Sequence, residues 1–372
     1  MKSISAVYRL SFINSVGTLF APIRRSTYVQ SRVYLGSFSR MANSIKIGTH
    51  DGCFHCDECL ACFMLKLLPR YKDATIVRTR NEAILNTCDI VVDVGGKFDP
   101  STYRFDHHMR DFKETIDTVL KRPEGNSKIK LSSAGLVYCF FGKEIIKQIL
   151  SELEDETAID CIFNMVYETL IKEIDGVDNG IPMYSGEPAY RIVTGLSSRV
   201  DRLNPKWNSK DVNIEHQFNE AVALTGKEFI QHVEYMGNVW WPARFIVKDA
   251  ISKRFAVDPS GEIIELSQGA PWNQHFYMLE KELGAENQIL YVIFPDANDY
   301  RVRGVPVEKD SFVCRMFLPE KWGGLREEEL SKVAGIEGCI FTHAIRFIGG
   351  HRTREGALAM ARKAIEIGKS LK

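Results

Sequence analysis

Apolar residues recur along this chain with two periods, that of strands and that of helices. Ser44 to Thr49 carries Ile45 and Ile47 in alternation and predicts a short strand. Asp57 to Leu68 is an apolar stretch stopped by Pro69 and predicts a helix. A strand is expected near Ala74 to Arg80, a short helix around Asn81 to Asn86, and a buried strand over Asp89-Ile90-Val91-Val92-Asp93-Val94, closed by Gly95-Gly96. Strands alternating with helices in this way predict a parallel sheet with helices on its faces, an α/β fold.

Two longer helices are expected next, Ser132 to Leu150 and Glu156 to Ile174, the second with Ile159, Ile162, Phe163, Val166, Leu170 and Ile174 on one face. Asp175 is expected to end that helix, ahead of the turn formers Gly176 and Asp178-Asn179-Gly180. Gly186 to Trp207 reads as a surface connection, and Glu215 to Val239 as a helix bridging two domains. From Phe255 the pattern changes to strands and turns: Phe255-Ala256-Val257, a hairpin turn at Asp258-Pro259-Ser260-Gly261, then Ile263 to Leu266 and Ile289 to Phe294. Gly349-Gly350-His351-Arg352-Thr353-Arg354-Glu355-Gly356 opens a last helix from Ala357 to Ile367. The expected organisation is a first domain over 45–207, a helical linker over 208–253 and a smaller α/β domain over 254–372.

Charge is balanced over the 372 residues, 48 basic against 48 acidic, but it is unevenly spread. Residues 1–40 hold Lys2, Arg9, Arg24, Arg25, Arg32 and Arg40, many serines and no Asp or Glu. That is the signature of a mitochondrial presequence, so residues 1–44 are expected to target the chain to the matrix. Initiation at Met41 would give a second, cytosolic or nuclear form lacking the signal. Without those six residues, 42 basic side chains face 48 acidic ones, a net charge of −6. A protein that coats duplex nucleic acid needs a basic footprint, and this one lacks it. From Phe341 to Lys372, however, seven Lys and Arg face only Glu355 and Glu366. Apolar runs are too short for a membrane span, which needs roughly 20 residues. Nine cysteines, an odd number, read as free thiols.

In parallel α/β sheets ligands gather at the carboxyl ends of strands. His50 and Asp93 both fall at such ends, and Tyr103-Arg104-Phe105 leads into Asp106-His107-His108. His55 and Asp57 lie on the loop after the first strand. Mixed carboxylate and imidazole is the ligand chemistry of divalent cations that assist phosphoryl transfer, and a metal pair needs a bridging carboxylate. Asp93, isolated in the apolar run Ile90-Val91-Val92-Asp93-Val94, is costly in a core unless paired or metal-bound, which makes it the candidate bridge. The spacing Cys53-x2-Cys56-x2-Cys59-x2-Cys62 competes as an iron–sulfur or zinc run. Its last gap is two residues where the ferredoxin pattern has three followed by Pro, and Cys59 and Cys62 fall on the apolar face of the predicted helix. At the other end, Gly350, His351, Arg352 and Arg354 precede a helix and could hold an anion at its N-terminus.

With these motifs in view, the chain resembles the DHH phosphoesterase superfamily and, within it, the MYG-type family of exonucleases. The resemblance rests on THDGCFHCDE, IVVDVGG, RFDHH with Phe112, KLSSAG, IDGVDNG, LNPKWN and RFIGGHRTREGALAMA, spread from about residue 46 to 368. It implies a DHH-type parallel-sheet domain followed by a smaller α/β domain, two divalent ions, Mn2+ or Mg2+, and removal of nucleotides from single-stranded RNA 3′ ends. Carried over by motif, His50, His55 and Asp93 would hold one ion, and Asp57, Asp93, His107 and Asp175 the other. His108 would contact the scissile phosphate, and Asp106 would orient the histidines. Gly350, His351, Arg352 and Arg354 would hold a neighbouring phosphate. Met109 stands where the family usually has Gln after the triplet. Two other readings stay open at this point: a DHH phosphoesterase acting on pyrophosphate or a cyclic dinucleotide, and a catalytically silent nucleic-acid-binding protein with the same fold.

Overall fold

In the computed structural model, residues 44–309 and 311–371 are described. The targeting segment expected over residues 1–44 lies, up to residue 43, outside the described residues. Residues 44–372 group as one unit.

The first five strands are β1 (Lys46–Thr49), β2 (Thr75–Arg78), β3 (Ile90–Val92), β4 (Phe98–Asp99) and β5 (Arg104–Phe105), arranged in the order β2-β1-β3-β5-β4. β2, β1, β3 and β5 run parallel, and the edge strand β4 is antiparallel to β5. The buried alternation explains why the sheet is covered on both faces. Ile47, Ile90, Val92 and Phe105 face a large core shared with the helices Cys56–Lys66, Ser133–Ile149 and Ile214–Tyr235. Val91 faces the other way, against Leu85 and Cys88. Gly48 lies on that second face, where a Cβ would come within 3.1 Å of Cys88 Sγ, so the short helix Glu82–Leu85 and the turn after it sit close to the strand.

Two long helices are continued through widened π-helical turns. Glu156–Val166 passes through Tyr167–Ile171 into Lys172–Asp178, and Ile214–Tyr235 passes through Met236–Trp240 into Trp241–Ser252. The first continuation corrects an expectation: Asp175 does not end its helix, which runs on to Asp178. Gly176 is an ordinary helical residue here, and the turn signal belongs to Asn179-Gly180, with Gly180 at φ +65°. Pro242 is tolerated because it stands in the first turn after the second widened segment, where a missing N–H costs least.

The second sheet contains β6 (Ile263–Glu265), β7 (Tyr291–Asp296), β8 (Asp299–Gly304), β9 (Cys339–Thr342) and β10 (Ile348–His351) in the order β6-β7-β8-β10-β9. Only β6 and β7 pair in parallel; the remaining pairs are antiparallel. Phe255-Ala256-Val257, expected as a strand, is instead a helical turn, Arg254–Val257, and Phe255 is exposed. Three apolar residues are too few to separate the two periods, and the chain follows the helix before it. The turn at Asp258 is present, with Gly261 N–H donating to Asp258 O at 2.9 Å, but it joins a helix to β6 and closes no hairpin. Among the described residues, no helix is long and apolar enough to cross a membrane.

Candidate metal centre

The site is assembled where β1, β3 and β5 end. His50 follows β1 directly, and the chain turns through Gly52, at φ +84°, before entering the Cys56–Lys66 helix. Both Glu58 oxygens accept the His55 N–H, at 2.8 and 3.0 Å, so the carboxylate closes the helix start while its side chain stays buried. Asp57 and Glu58 both lie in the first turn, where the helix dipole favours negative charge. Asp93 ends β3 in the left-handed region, φ 60°, a strained conformation for a side chain of this kind. Its N–H donates to Phe105 O at 3.1 Å, so the strain is held by the neighbouring strand.

Asp93 is the centre of the arrangement. Its Oδ2 lies 3.3 Å from His50 Nε2 and its Oδ1 lies 3.1 Å from His107 Nε2. His50 Nε2 is also 3.1 Å from Glu58 Oε1, and His107 Nε2 is 3.2 Å from Asp178 Oδ2 and 3.9 Å from Asp57 Oδ2. Asp106 holds the triplet rigid. Its Oδ1 accepts from the His107 N–H at 2.8 Å and the His108 N–H at 3.2 Å, and pairs with His108 Nδ1 at 2.8 Å, while its Oδ2 accepts from the Gly96 N–H at 2.6 Å. Asp57 Oδ2 accepts from the Ser133 hydroxyl at 2.7 Å. The serine pair of the KLSSAG segment thus positions two carboxylates, because Ser132 N–H and Oγ both donate to Asp175 Oδ1, at 2.9 and 2.7 Å.

Four carboxylates and two imidazoles are concentrated here with no lysine or arginine paired to them among the described residues. Burial, reinforced by mutual repulsion, pushes Glu58 up to about 8 and Asp178 up to about 9, and raises Asp57 in the same direction. Burial disfavours the imidazolium forms, but hydrogen bonds to Asp93 and its neighbours outweigh it and raise His50 to about 10 and His107 to about 9. The same histidines hold Asp93 below the usual carboxylate range against its own burial.

This charge pattern fits a cation site. Asp57 Oδ1 is buried with no hydrogen-bond partner, an expensive state for an acceptor unless something positive faces it. Three groups bring ligand atoms within 4.8 Å of one another: His50, His55, Glu58 and Asp93; Asp93, His107 and His108; and His55, Asp57 and Asp178. Asp93 belongs to two of them and His55 to two, so neighbouring positions share ligands. Nitrogen and carboxylate donors without sulfur suit divalent cations such as manganese, magnesium or zinc. The cysteines take no part. Cys56, Cys59 and Cys62 are buried in the helix, burial pushes their thiols up, and none joins a ligand group among the described residues.

A cavity of about 830 Å³ opens beside these groups, lined by His55, His107, His108 and Asp178 and also by Lys130 and Arg202. His108 is the exposed member of the triplet, with 61% of its side chain accessible, and its hydrogen bond to Asp106 raises its pKa.

The structure gathers His50, His55, Asp57, Asp93, Asp106, His107 and His108, and departs from the sequence expectation at two places. Asp175 is not brought to the ligand groups: it is wholly buried one helical turn short of them, with one oxygen used by Ser132, and Asp178 stands in its place. The sequence pattern does not single out Asp178 or Glu58. The signal for Asp178 is its spacing of three from Asp175, the same helix face one turn on. At the C-terminal end, Gly350, His351, Arg352 and Arg354 do not line the cavity. His351 is buried, with Nε2 donating to Glu337 O at 2.8 Å and Nδ1 accepting the Thr353 N–H at 3.0 Å, and its ring packs where a Gly356 Cβ would be. Gly350 is inside β10, Arg352 pairs with Glu327, and Arg354 forms a fork on Glu265. Thr353 caps the helix by accepting the Gly356 N–H, which removes a donor an anion would need.

Residues 46–365 match the family model MYG1_exonuc, described as "Uncharacterised protein family (UPF0160)". The chain is 49% identical over 332 residues to the MYG1 exonuclease of Homo sapiens, covering 88% of each chain. It is 47% identical over 361 residues to the MYG1 exonuclease of Mus musculus, covering 94% of each. Among solved structures, RecJ in complex with Mn2+ from Thermus thermophilus overlaps loosely, at a TM-score of 0.24 and 10% identity, over 87% of this chain and 52% of that one.

Proposed function

The chain belongs to the MYG1 exonuclease family, and on that premise we propose that it is a metal-dependent 3′–5′ exoribonuclease, cutting phosphodiester bonds at the 3′ ends of single-stranded RNA. The observation that carries the proposal is Asp93, a buried carboxylate shared by two ligand groups beside a cavity that is also lined by an exposed histidine, His108, and two basic side chains, Lys130 and Arg202. His50, His55, Glu58 and Asp93 would hold one ion, with Asp57, His107, Asp178 and again Asp93 around a second, manganese or magnesium. Bound there, the ions supply Lewis acidity for the attacking water and neutralise charge on the leaving oxygen.

The chain's own residues supply the rest. His108 is held through Nδ1 by Asp106, which leaves Nε2 to donate to a phosphate oxygen, and the same hydrogen bond favours the protonated ring. Asp106 also fixes the backbone of the triplet, so both histidines are aimed before substrate arrives. Lys130 and Arg202 on the cavity wall would hold the phosphate next to the cleaved one. We extend the proposal to place: residues 1–44 would direct the chain to the mitochondrial matrix, and a form begun at Met41 would serve nuclear RNA.

One 5′-labelled RNA digested with manganese tests the activity. Wild type should give a descending ladder and the Asp106→Ala/His107→Ala chain none. Intact RNA beside hydrolysed pyrophosphate or cyclic dinucleotide would instead favour a different phosphoesterase. A fusion of residues 1–44 to a reporter that stays wholly cytosolic would refute the targeting half.

A further inference from the structure

The second sheet has one face packed into a core and one face only partly covered. On β8, Tyr300 and Val302 turn into the core made with the Arg354–Ser370 and Glu327–Ala334 helices, so Arg301 and Arg303 turn to the opposite face. On that opposite face the cover consists of Val247, Ile251 and Phe276 packed over Ile264 and Val292, at the β6–β7 side. Across β8, β10 and β9 the face instead carries arginines laid on aromatic rings. The Arg303 guanidinium lies 5.7 Å from the Trp272 ring and 5.7 Å from the Phe347 ring. Arg301 lies 5.4 Å and Arg326 5.8 Å from the ring of Phe341.

The register explains how this surface is kept flat. Gly350, in the middle strand, pairs with Arg301 on one side and Phe341 on the other. A Cβ at Gly350 would come within 2.8 Å of Phe341 and 2.9 Å of Arg301 Nη1, so the glycine is what lets the arginine and the ring close over β10. Arg301 has a carboxylate partner, Asp296, at 2.8 Å. Arg303 and Arg326 have none among the described residues, and Arg303 Nε and Arg301 Nη1 are buried donors with no acceptor. Phe312 stands beside this face, 73% exposed, with its edge toward Phe347.

From this geometry we infer that the β8–β10–β9 face is a platform for single-stranded nucleic acid, with Arg303 and Arg326 holding backbone phosphates and Phe312 offering its ring to a base. Guanidinium groups without a carboxylate partner, laid against rings, suit an anionic partner, and the exposed ring of Phe312 suits one that also carries planar groups. The inference rests on the exonuclease reading, to which it adds a grip on the strand away from its cleaved end. It also moves substrate contact in this half of the chain from His351, Arg352 and Arg354 to the other face of the same sheet.

The test uses the full chain and two readouts. Binding of a fluorescein-labelled single-stranded RNA is followed by anisotropy in EDTA across a salt series, and hydrolysis of bis(p-nitrophenyl) phosphate is followed with manganese. Arg303→Gln/Arg326→Gln should weaken RNA binding by roughly tenfold or more and flatten the slope of log K against log salt by about 1.4, about 0.7 for each lost phosphate contact. Phe312→Ala, an exposed change that leaves the fold intact, should weaken binding with no change in slope. Hydrolysis of the small diester should stay at the wild-type rate in both variants. Wild-type RNA affinity in the double variant overturns the platform, as does a change in self-association in place of a change in RNA binding. A wild type that binds RNA but, with manganese, cleaves neither the RNA nor the small diester refutes the exonuclease reading and leaves the platform standing.

Discussion

Exchanging Asp175 and Asp178 in turn for asparagine separates a carboxylate that holds the fold from one that faces the cation site. Burial and repulsion push Asp178 up, toward the neutral form that an amide resembles, so Asp178→Asn changes little without metal. The metal-free melting temperature should stay within about 1 °C of wild type. With manganese the two part. A ligand at 100 times its Kd stabilises the native state by about 2.7 kcal/mol. With an unfolding entropy of about 2.1 cal/mol/K per residue, that is a rise of roughly 4 °C for a chain of this length, and Asp178→Asn should lose most of it. Asp175→Asn should keep the full rise, because its oxygen still accepts from Ser132 N–H and Oγ. Asp175→Ala strands both donors in the core, at about 1–3 kcal/mol each, and should melt roughly 3–8 °C lower with or without metal. Differential scanning calorimetry in EDTA and in manganese reads all three. A manganese-induced rise lost in Asp175→Asn and kept in Asp178→Asn would refute this division and make Asp175 the ligand.

Three further outcomes are expected. His108→Asn should lower RNA cleavage by about 10²-fold or more, the usual scale for a removed proton donor, while keeping the manganese-induced thermal shift, as measured by labelled-RNA digestion beside a melt. Asn204→Ala should cost roughly 2–4 kcal/mol in urea unfolding, because the amide accepts the Phe54 N–H at 2.9 Å and donates to Phe54 O at 2.7 Å, tying down the loop between His50 and Asp57. His275 gives a pH effect away from the site. Burial lowers it to about 4 although its Nε2 donates to Trp240 O, so the folded chain refuses a proton that the unfolded chain accepts below its ordinary value of 6.5. Its stabilisation is complete above that value and is lost as pH falls toward 4, a total of about 3 kcal/mol. The wild-type loss between pH 7 and 4.5 should exceed that of His275→Gln by most of this amount, and equal losses would refute it.

Much of the site was readable from the sequence because its ligands sit where short strands end. His50, Asp93 and the Asp106-His107-His108 triplet each follow an apolar run brief enough to be only a strand, and parallel pairing carries all three ends to one edge. The helix does not end at Asp175 as the sequence suggests, for a local reason: Gly176 looks like a stop, and no pattern in the sequence announces a widened turn. Glu58 hides beside Asp57, since an acidic first turn is ordinary helix chemistry. The C-terminal GGHR segment carries an anion-binding pattern, but Thr353 and Glu337 satisfy its polar groups, and neither partner can be assigned before the strands are in register. The arginine face opposite was invisible for the same reason, as Arg301, Phe341 and Gly350 meet only across three strands.

The widened turn at Tyr167–Ile171 gives the metal centre a kind of fragility that no side chain in it reveals. A π-helical turn takes up one residue more than an α-helical turn, and each residue added or removed rotates the downstream helix by about 100°. Upstream, Ile162, Phe163 and Val166 anchor the helix in the core; downstream, Asp178 faces His107. The count of residues between those two points therefore sets the aim of Asp178. Deleting one residue there would let the helix straighten into ordinary geometry, with every ligand still present in the sequence and one of them turned away. In this segment chain length is as much a specification of the site as residue identity.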